Sequence, residues 1–417
     1  MSSILNVGVD ISLRSASVSF LNQEGGYLGK TFEVPNNPPG FKKLEEKIRA
    51  VLSTQLFSEI RLGLEATGLY GFHLTDYFGR VSFGCDIRVY LINAKYISRF
   101  KKAFPEREKT DLVDARVIAE YLRFGKLPVE YKPEALYLPL QRLVRYRYHL
   151  VKTIEREKKL FLSNLFLLFP GWVQERPIKT LGVSALAVLN ELSLDEIIEM
   201  SMEELALFVA KAGKNRAPDP TALAEKIKQA AIDSSQIRPR LADSCKFVLA
   251  STTRTLSALK KNLKELDRAI AEEGKGFLNP LLSVKGLGLV YSSGILACIG
   301  DVKRFSSDDK LAKMAGLVWK RTQSGETESE ETRLVKECDK YLRYYLVEAA
   351  NSLRVHNEEY RLYYQKKYLE VAKHKHKRAL VLSARKLVRL VFALLAKNQL
   401  YDPQRRFQSP VASCEKV

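Results

Sequence analysis

The sequence predicts an α/β domain at the N-terminus, a helical middle region and a mainly helical C-terminal region. Three observations lead to this fold class. Short apolar runs alternate with helical periodicity over residues 1–140, and residues 141–275 contain helical periodicity without a strand pattern. Residues 276–417 combine glycine-rich turns with amphipathic and strongly basic helices. We therefore predict three domains with boundaries near residues 140 and 275.

The N-terminal domain begins with apolar runs that predict three consecutive strands, Ile4–Asp10, Ser15–Leu21 and Tyr27–Val34. Gly25-Gly26 predicts a hairpin turn between the second and third strands. The periodicity then predicts, in order, a helix over Phe41–Leu52, a strand over Ile60–Ala66, a helix over Gly71–Phe78, a strand over Ile87–Ile92 and a helix over Asp111–Arg123. Three strands followed by alternating helices and strands is the order of an RNase H-like domain.

The middle region begins with a long basic helix, predicted over Arg142–Leu168. Shorter helices follow over Leu192–Ile198, Ser201–Ala212 and Leu223–Ala231. Lys246–Glu273 has apolar residues at helical spacing between charged ones, which is typical of either a coiled-coil segment or an ordinary bundle helix. The pattern alone leaves both alternatives open.

The charge balance points to a polyanionic partner. The 417 residues include 68 Lys and Arg against 48 Asp and Glu, which gives a net charge of +20. A hydrophobic fraction of 46% excludes a disordered basic tail, so we expect a globular protein that binds nucleic acid. No apolar run is long enough to span a membrane, Met1–Asp10 lacks a signal-peptide pattern, and the cysteines are scattered. We therefore expect no membrane partner and a reducing, cytoplasmic location.

Four acidic residues stand at positions where this topology can bring them together. Asp10 ends the first strand, Glu65 lies near the end of the fourth, and Asp111 and Asp114 share one face of a helix start. Clustered carboxylates bind hard divalent cations, and Mg²⁺ prefers oxygen ligands. We predict a metal site at these residues taken together, whereas each acid alone is more often a strand-end cap or a complement to a helix dipole.

Ser324 is a candidate nucleophile in the C-terminal region. It stands next to Gly325, with Lys320 and Arg321 just upstream as possible phosphate contacts. Serine is a weak nucleophile without an activating group, so a simple turn residue is the alternative interpretation. Upstream, Val284-Lys285-Gly286-Leu287-Gly288 has the pattern of a helix-hairpin-helix turn, or of an ordinary glycine-rich turn.

Basic residues concentrate in segments that we predict to contact nucleic acid. In the middle region, arginines alternate with Tyr146 and Tyr148, a combination that suits a phosphate backbone and exposed bases; a solvated helix face is the alternative. The predicted contacts are Arg142, Arg145, Arg147, Lys285, Lys320, Arg321, Lys373, Lys375, Lys377 and Arg378.

Several segments together resemble the DEDD-type transposases of the insertion sequence one-ten family, which are RNA-guided recombinases of bacterial mobile elements. The resemblance lies in Val-Gly-Val-Asp10-Ile-Ser, Glu65-Ala-Thr-Gly-Leu-Tyr and Lys-Thr-Asp111-Leu-Val-Asp114-Ala, then in Ala-Gly-Leu followed by Gln-Ser324-Gly, and in Tyr-Leu-Arg343-Tyr-Tyr-Leu. These segments occur in the family's order over nearly the whole chain.

The resemblance implies a RuvC-like N-terminal domain, a coiled-coil dimerising middle region and a C-terminal transposase domain. It implies that Asp10, Glu65, Asp111 and Asp114 hold Mg²⁺ and that Ser324 forms a covalent link to DNA. It also implies a structured non-coding guide RNA, donor and target DNA as substrates, and sites shared between subunits of a dimer, or of a tetramer in synapsis. This sequence departs from the family at Cys338-Asp339, where Gly-Asn is usual, and near Trp319, where a proline is usual.

Two other functions stay open on the residues alone. A metal-dependent nuclease or junction resolvase would use water as the nucleophile and leave Ser324 a structural role. A non-enzymatic nucleic-acid scaffold would use only the basic surfaces, although such a protein has no need for four converging acids.

Overall fold

The structure is a computed structural model that describes residues 3–66, 68–102, 111–128, 130–131, 137–178, 180–214, 219–234, 237–319, 323–324, 327–328 and 334–403. The chain divides into two compact units, residues 1–136 and 137–417. Helices on both sides of residue 275 contribute to one hydrophobic core. The domain boundary predicted there stays a prediction. In the part of the chain that the structure describes, no helix is long and apolar enough to cross a membrane.

Unit 1 is a mixed five-stranded sheet with helices. Its elements are β1 (Ile4–Ile11), β2 (Ser15–Leu21), β3 (Phe32–Pro35), α1 (Pro38–Thr54), β4 (Glu59–Glu65), α2 (Phe72–Phe78), β5 (Asp86–Ile92), α3 (Ala94–Lys101) and α4 (Asp111–Phe124). The strand order is β3-β2-β1-β4-β5; β1 runs antiparallel to β2 and parallel to β4, which runs parallel to β5. The predicted alternation of strands and helices in this region is confirmed.

The third strand is shorter than the sequence predicts. The prediction covers Tyr27–Val34, but β3 begins at Phe32, and the backbone of Tyr27 forms an isolated β-bridge with Leu21. The hairpin turn at Gly25-Gly26 is present, since the amide of Asn22 donates to the carbonyl of Gly26. The strand is then interrupted at Gly29, whose φ of 92° lies outside the range of an extended strand.

The described residues of unit 2 are helical apart from a two-stranded hairpin and one isolated β-bridge. Its first half contains α5 (Leu138–Leu168), α6 (Pro170–Glu175), α7 (Val183–Glu191), α8 (Leu194–Glu199), α9 (Met202–Ala212), α10 (Pro220–Ile232) and α11 (Pro239–Lys275). Its second half contains α12 (Leu289–Ile299), α13 (Asp308–Met314), β6 (Gln323–Ser324), β7 (Thr327–Glu328), α14 (Lys340–His356), α15 (Glu358–Leu369) and α16 (Lys375–Lys397), with short 3₁₀ turns at Pro280–Ser283 and Val302–Arg304.

The two long helices α5 and α11 run antiparallel and connect two hydrophobic cores. The N-terminal half of α5, through Val144 and Leu150, packs with the C-terminal half of α11 and with α12, α14 and α16. The C-terminal half of α5, through Phe161 and Leu165, belongs to a second core with α6–α10 and Leu249. The helix predicted over Lys246–Glu273 therefore pairs with α5 of its own chain.

Candidate active site

The register of two parallel strands places the first two candidate acids side by side. Val9 of β1 pairs with Leu64 of β4, so the next residues, Asp10 and Glu65, lie at the same level on neighbouring strands. The adjacency of the first and fourth strands, on which the predicted acid cluster depends, is confirmed. Both acidic residues are half-buried.

Helix α4 covers the sheet face that carries these acids. It approaches β1 so closely that a Cβ on Gly8 would lie 2.2 Å from the carbonyl oxygen of Ala115. Side chains two residues apart on a strand share a face, so Asp10 lies on the same side as Gly8. On β4, a Cβ on Gly63 would likewise meet a residue of α4, Leu122, which puts Glu65 on this side too. The glycine on β1 thus lets the helix carrying Asp114 settle against the strand that carries Asp10.

The electrostatics of the site link the sheet acids to the helix. Burial raises the pKa of Glu65, and the nearby Asp114 carboxylate raises it further, since each charged carboxylate disfavours ionisation of the other. Lys101, at the end of α3, donates from Nζ to Oδ1 of Asp114 and partly offsets this shift by lowering the pKa of Glu65. An ammonium group thus already balances part of the negative charge.

Asp111 begins α4, but its side chain lies outside the described residues, as does Thr110, its candidate N-cap. Within the described ranges, no three His, Cys, Asp or Glu side chains are grouped closely enough to hold a metal ion. The donor chemistry nevertheless fits a hard divalent cation: Asp10, Glu65 and Asp114 offer carboxylate oxygens on one side of the sheet, and a stand-in cation, Lys101, contacts one of them.

Ser324 lies on a small hairpin in unit 2. The residue belongs to β6 and pairs with Thr327 of β7, so only residues 325 and 326 separate the two strands. The Ser324 side chain lies outside the described residues, as do Lys320 and Arg321. Backbone pairing with Thr327 therefore holds the backbone of Ser324 in β6.

The predicted nucleic-acid contacts of α5 divide between surface and interior. Arg142 is exposed, and Arg145 is half-buried with its guanidinium 5.4 Å from the centre of the Tyr341 ring. Arg147 is only 7% exposed. Its guanidinium donates to both carboxylate oxygens of Asp267 on α11, at 2.6 and 3.3 Å, and to the hydroxyl of Tyr344 at 3.1 Å. In this structure the Arg147 charge is therefore used inside the helical bundle.

The predicted nucleic-acid contacts outside α5 whose side chains the structure describes lie at the surface of unit 2. Lys285 is exposed in the turn before α12. Lys373, Lys377 and Arg378 are exposed around the first turn of α16, where Lys375 lies with its ammonium 5.6 Å from the Tyr368 ring centre. Arg378 also contacts Glu370 at 3.4 Å. These cations stand at the positive end of the α16 dipole, an arrangement that an anionic ligand stabilises.

The sequence-based prediction missed Lys101. Thirteen residues separate it from Asp114, so the two lie on different helices and no local spacing rule connects them. Only the placement of α3 beside α4 in the folded domain reveals the contact.

Comparisons with known protein families match this chain over two separate ranges. The family description "DEDD_Tnp_IS110: Transposase" matches residues 7–170, and "Transposase IS116/IS110/IS902 family" matches residues 278–365. The first range contains Asp10, Glu65, Asp111 and Asp114, and the second contains Ser324.

Two curated proteins are similar to the chain. The "Insertion element IS116 uncharacterized 44.8 kDa protein" of Streptomyces clavuligerus is 25% identical over 321 residues, which is 76% of this chain and 78% of that protein. The "Insertion element IS900 uncharacterized 42 kDa protein" of Mycobacterium paratuberculosis is 28% identical over 159 residues, or 37% of this chain and 39% of that protein. With both family descriptions matched in order, the chain belongs to the IS110 family of insertion-element transposases.

Proposed function

We propose that this transposase cuts and rejoins DNA strands through a covalent link to Ser324, assisted by Mg²⁺ at the carboxylates of unit 1. The observation that supports this most is the register of β1 and β4 beneath α4. It places Asp10 and Glu65 on the face covered by the helix that carries Asp114. We further propose that unit 1 is an RNase H-like domain, because three consecutive strands are followed by alternating helices and strands and the first and fourth strands are neighbours in the sheet.

The acid site is suited to holding a metal beside a phosphodiester. Asp10, Glu65 and Asp114 would supply carboxylate oxygens, with Asp111 as the fourth ligand. A bound Mg²⁺ would neutralise the carboxylates and polarise the DNA phosphate. The protein's own contribution is to hold the acids on rigid elements: the strands are fixed by the sheet, and α4 by its close contact with Gly8.

The proposed reaction at Ser324 is a phosphoryl transfer. The Ser324 hydroxyl gives up its proton, its Oγ forms a bond to a DNA phosphorus, and one strand end leaves as a hydroxyl after taking up a proton. One phosphodiester bond is lost and one is formed, so a strand hydroxyl can reverse the step on another DNA end without ATP. The hairpin pairing of Ser324 with Thr327 supports this role, because it fixes the backbone that carries the nucleophile.

The exposed cations of unit 2 are the proposed nucleic-acid contacts. Arg142, Lys285 and the cations at the start of α16 lie at the surface, where contacts to phosphates would provide affinity rather than sequence recognition. We propose that a structured non-coding RNA supplies the sequence recognition, as the resemblance implies, and that the active assembly is a homo-oligomer. RNA that co-purifies with the protein from cells carrying the complete element should be one discrete species when sequenced.

Replacement of the serine tests the nucleophile. In cells that carry the complete element on a plasmid, which supplies its RNA and both DNA ends, we expect Ser324→Ala to abolish covalent protein–DNA adducts recovered under denaturing conditions. Thr327→Val is the matched control, because it removes a hydroxyl from the residue paired with Ser324 and should retain adducts. Adducts at the wild-type level in Ser324→Ala would rule out Ser324 as the nucleophile. Strand cleavage without adducts in the wild type would instead favour a nuclease that uses water.

Replacement of the acids tests the metal site. Asp10→Asn and Asp114→Asn should each abolish both adducts and Mg²⁺ binding, because each removes a charged ligand. Asp76→Asn is the control, since this acid lies on α2 and pairs with Arg80 at 2.5 Å. Mg²⁺ binding that survives in Asp10→Asn and Asp114→Asn would contradict the proposed site.

A further inference from the structure

We propose that Arg343 is a positioning residue for the reaction of Ser324: its guanidinium ties together the two ends of the segment that carries the serine hairpin. The inference rests on the proposed role of Ser324 and adds a residue on another element, α14, that controls where the serine is held.

The two ends of the hairpin segment meet at its base. Trp319 and Leu334 form an antiparallel bridge, and the amide of Val335 donates to the carbonyl of Val318 at 3.0 Å. Ser324 lies between these closing contacts and is paired across β6 and β7. The orientation of the hairpin therefore depends on how firmly its base is fixed to the helical core.

Arg343 binds both ends of this base. Its Nε donates to the carbonyl of Ala315 at 3.0 Å, and its Nη2 donates to the carbonyls of Gly316 at 2.8 Å and Val335 at 2.5 Å. The first two carbonyls precede the hairpin segment and the third follows it. One rigid guanidinium thus joins the incoming chain, the outgoing chain and α14.

Gly316 shows how closely the incoming chain is fitted to the guanidinium. Its φ is 65°, in the left-handed region that ends α13. A Cβ at this position would lie 2.0 Å from Nη2 of Arg343 and 2.6 Å from Cβ of Cys338. Any side chain here would push the guanidinium away from the carbonyls, so glycine and arginine act as a matched pair.

The helix that carries Arg343 is itself anchored next to this site. The Asp339 side chain caps α14 by accepting from the amides of Tyr341 and Leu342 at 2.8 and 2.9 Å. The amide of Asp339 donates to the carbonyl of Met314 at the end of α13, at 2.8 Å. The start of α14 is therefore held at both its cap and its backbone, which gives the guanidinium a fixed origin.

An Arg343→Lys substitution distinguishes a positioning role of this residue from a role of its positive charge alone. A guanidinium has several N–H donors in a planar fork, whereas a lysine ammonium is a point charge on a flexible stem. Arg343→Lys keeps the positive charge but cannot bridge the three carbonyls in the same geometry. Arg354→Lys is the matched control on the same helix, because the guanidinium of Arg354 donates to the neighbouring Asn351 at 2.7 Å and lies 5.2 Å from the centre of the Tyr364 ring, which are contacts outside the hairpin segment.

The test compares hydrogen exchange with reaction rate in the full chain bound to its co-purified RNA. Exchange at the amides of Leu317 and Val335 should accelerate at least about tenfold in Arg343→Lys and stay unchanged in Arg354→Lys. The rate of adduct formation at saturating DNA, on a duplex carrying the element's own end, should fall about 100-fold in Arg343→Lys, because a small misplacement of a nucleophile has that effect. DNA affinity should change by less than about twofold, since positioning acts on the chemical step.

Different results overturn the two proposals. Unchanged exchange in Arg343→Lys refutes the clamp whatever Ser324 does, and accelerated exchange with a wild-type adduct rate refutes the positioning role. Adducts in Ser324→Ala refute the nucleophile alone, because the exchange measurement does not depend on it. If Arg343→Lys does not fold, Gly316→Ala disturbs the same contact from the other side. Fast exchange of Leu317 and Val335 in the wild type would also refute the clamp without any variant.

Discussion

If the acid site binds a divalent cation as proposed, the Lys101 ammonium is the charge with which that cation competes. It pairs with Asp114, and the two side chains are 25% and 23% exposed. A pair this exposed stabilises the protein by about 1 kcal/mol, and 1.4 kcal/mol corresponds to a tenfold change in affinity. Lys101→Met keeps most of the side-chain length and removes the charge. We therefore expect Mg²⁺ to bind about 5- to 10-fold more tightly, once relief of cation–cation repulsion is included.

Calorimetric titration of the metal-stripped full chain with MgCl₂ measures this directly. Lys102→Met is the matched control, because it removes the same charge from the next residue, which is exposed. It should leave the affinity within about twofold, since an exposed charge is screened by solvent and salt. If Lys101→Met binds Mg²⁺ no more tightly than the wild type, Lys101 does not compete for the site and the reasoning fails.

The pH dependence gives the same experiment a second readout. Lys101 lowers the pKa of Glu65, whereas burial and Asp114 raise it, so removal of Lys101 raises the pKa of Glu65 further. Mg²⁺ binds the ionised carboxylate, and protonation of Glu65 therefore opposes binding as the pH falls. The affinity gain of Lys101→Met should be largest near neutral pH and should shrink as the pH falls. A gain that grows towards acid pH would contradict this assignment.

Three further tests, with four substitutions in all, examine a hydrogen bond, a buried ion pair and a close helix–strand contact. Tyr77 donates to Glu45 at 2.5 Å and lowers its pKa below the ordinary value of 4.5. Tyr77→Phe should therefore destabilise the protein by about 1–2 kcal/mol in denaturant unfolding at neutral pH, and the difference should vanish as the pH falls through the lowered pKa; a constant difference would contradict the assignment. Asp267→Asn strands the buried Arg147 charge and should cost about 3–5 kcal/mol, whereas Arg147→Met should cost less; equal losses would argue against a stranded charge. Gly8→Ala should displace α4 at a cost of about 1–3 kcal/mol and weaken Mg²⁺ binding in the same titration, and an unchanged affinity would show that the helix contact does not position the acids.

The sheet of unit 1 was predictable because its signals are local. The run Ile4–Asp10 is mostly apolar and ends in an acid, and the observed β1 extends it by one residue. Ser15–Leu21 matches β2 at both ends. The interruption at Gly29 was not visible, since a glycine inside a predicted strand does not reveal its φ. The contact of Lys101 with Asp114 depends on the packing of two helices, which no pattern in the sequence specifies.

The buried position of Arg147 was indicated by helical periodicity, but the prediction followed the basic and aromatic composition of the segment instead. The alternation of arginine and tyrosine in this segment suggested a nucleic-acid surface. Helical spacing, however, places Arg147 on one face with Val144, Leu150 and Ile154, all of which are buried. A charged residue on an apolar face predicts a partner within the fold, and Asp267 on α11 is that partner. Periodicity was therefore a better guide to this arginine than composition.

The same distinction sharpens what the net charge of +20 can mean. A cation with a carboxylate inside the bundle, such as Arg147, contributes to the charge count without being available to DNA. The cations at the start of α16 differ, because Lys373 and Lys377 are exposed and stand where the helix dipole is already positive. The repulsion between these cations and the positive end of the helix destabilises the isolated chain, and a bound phosphate would offset it. The nucleic-acid surface should accordingly be sought where positive charge is locally unfavourable, rather than wherever basic residues are frequent.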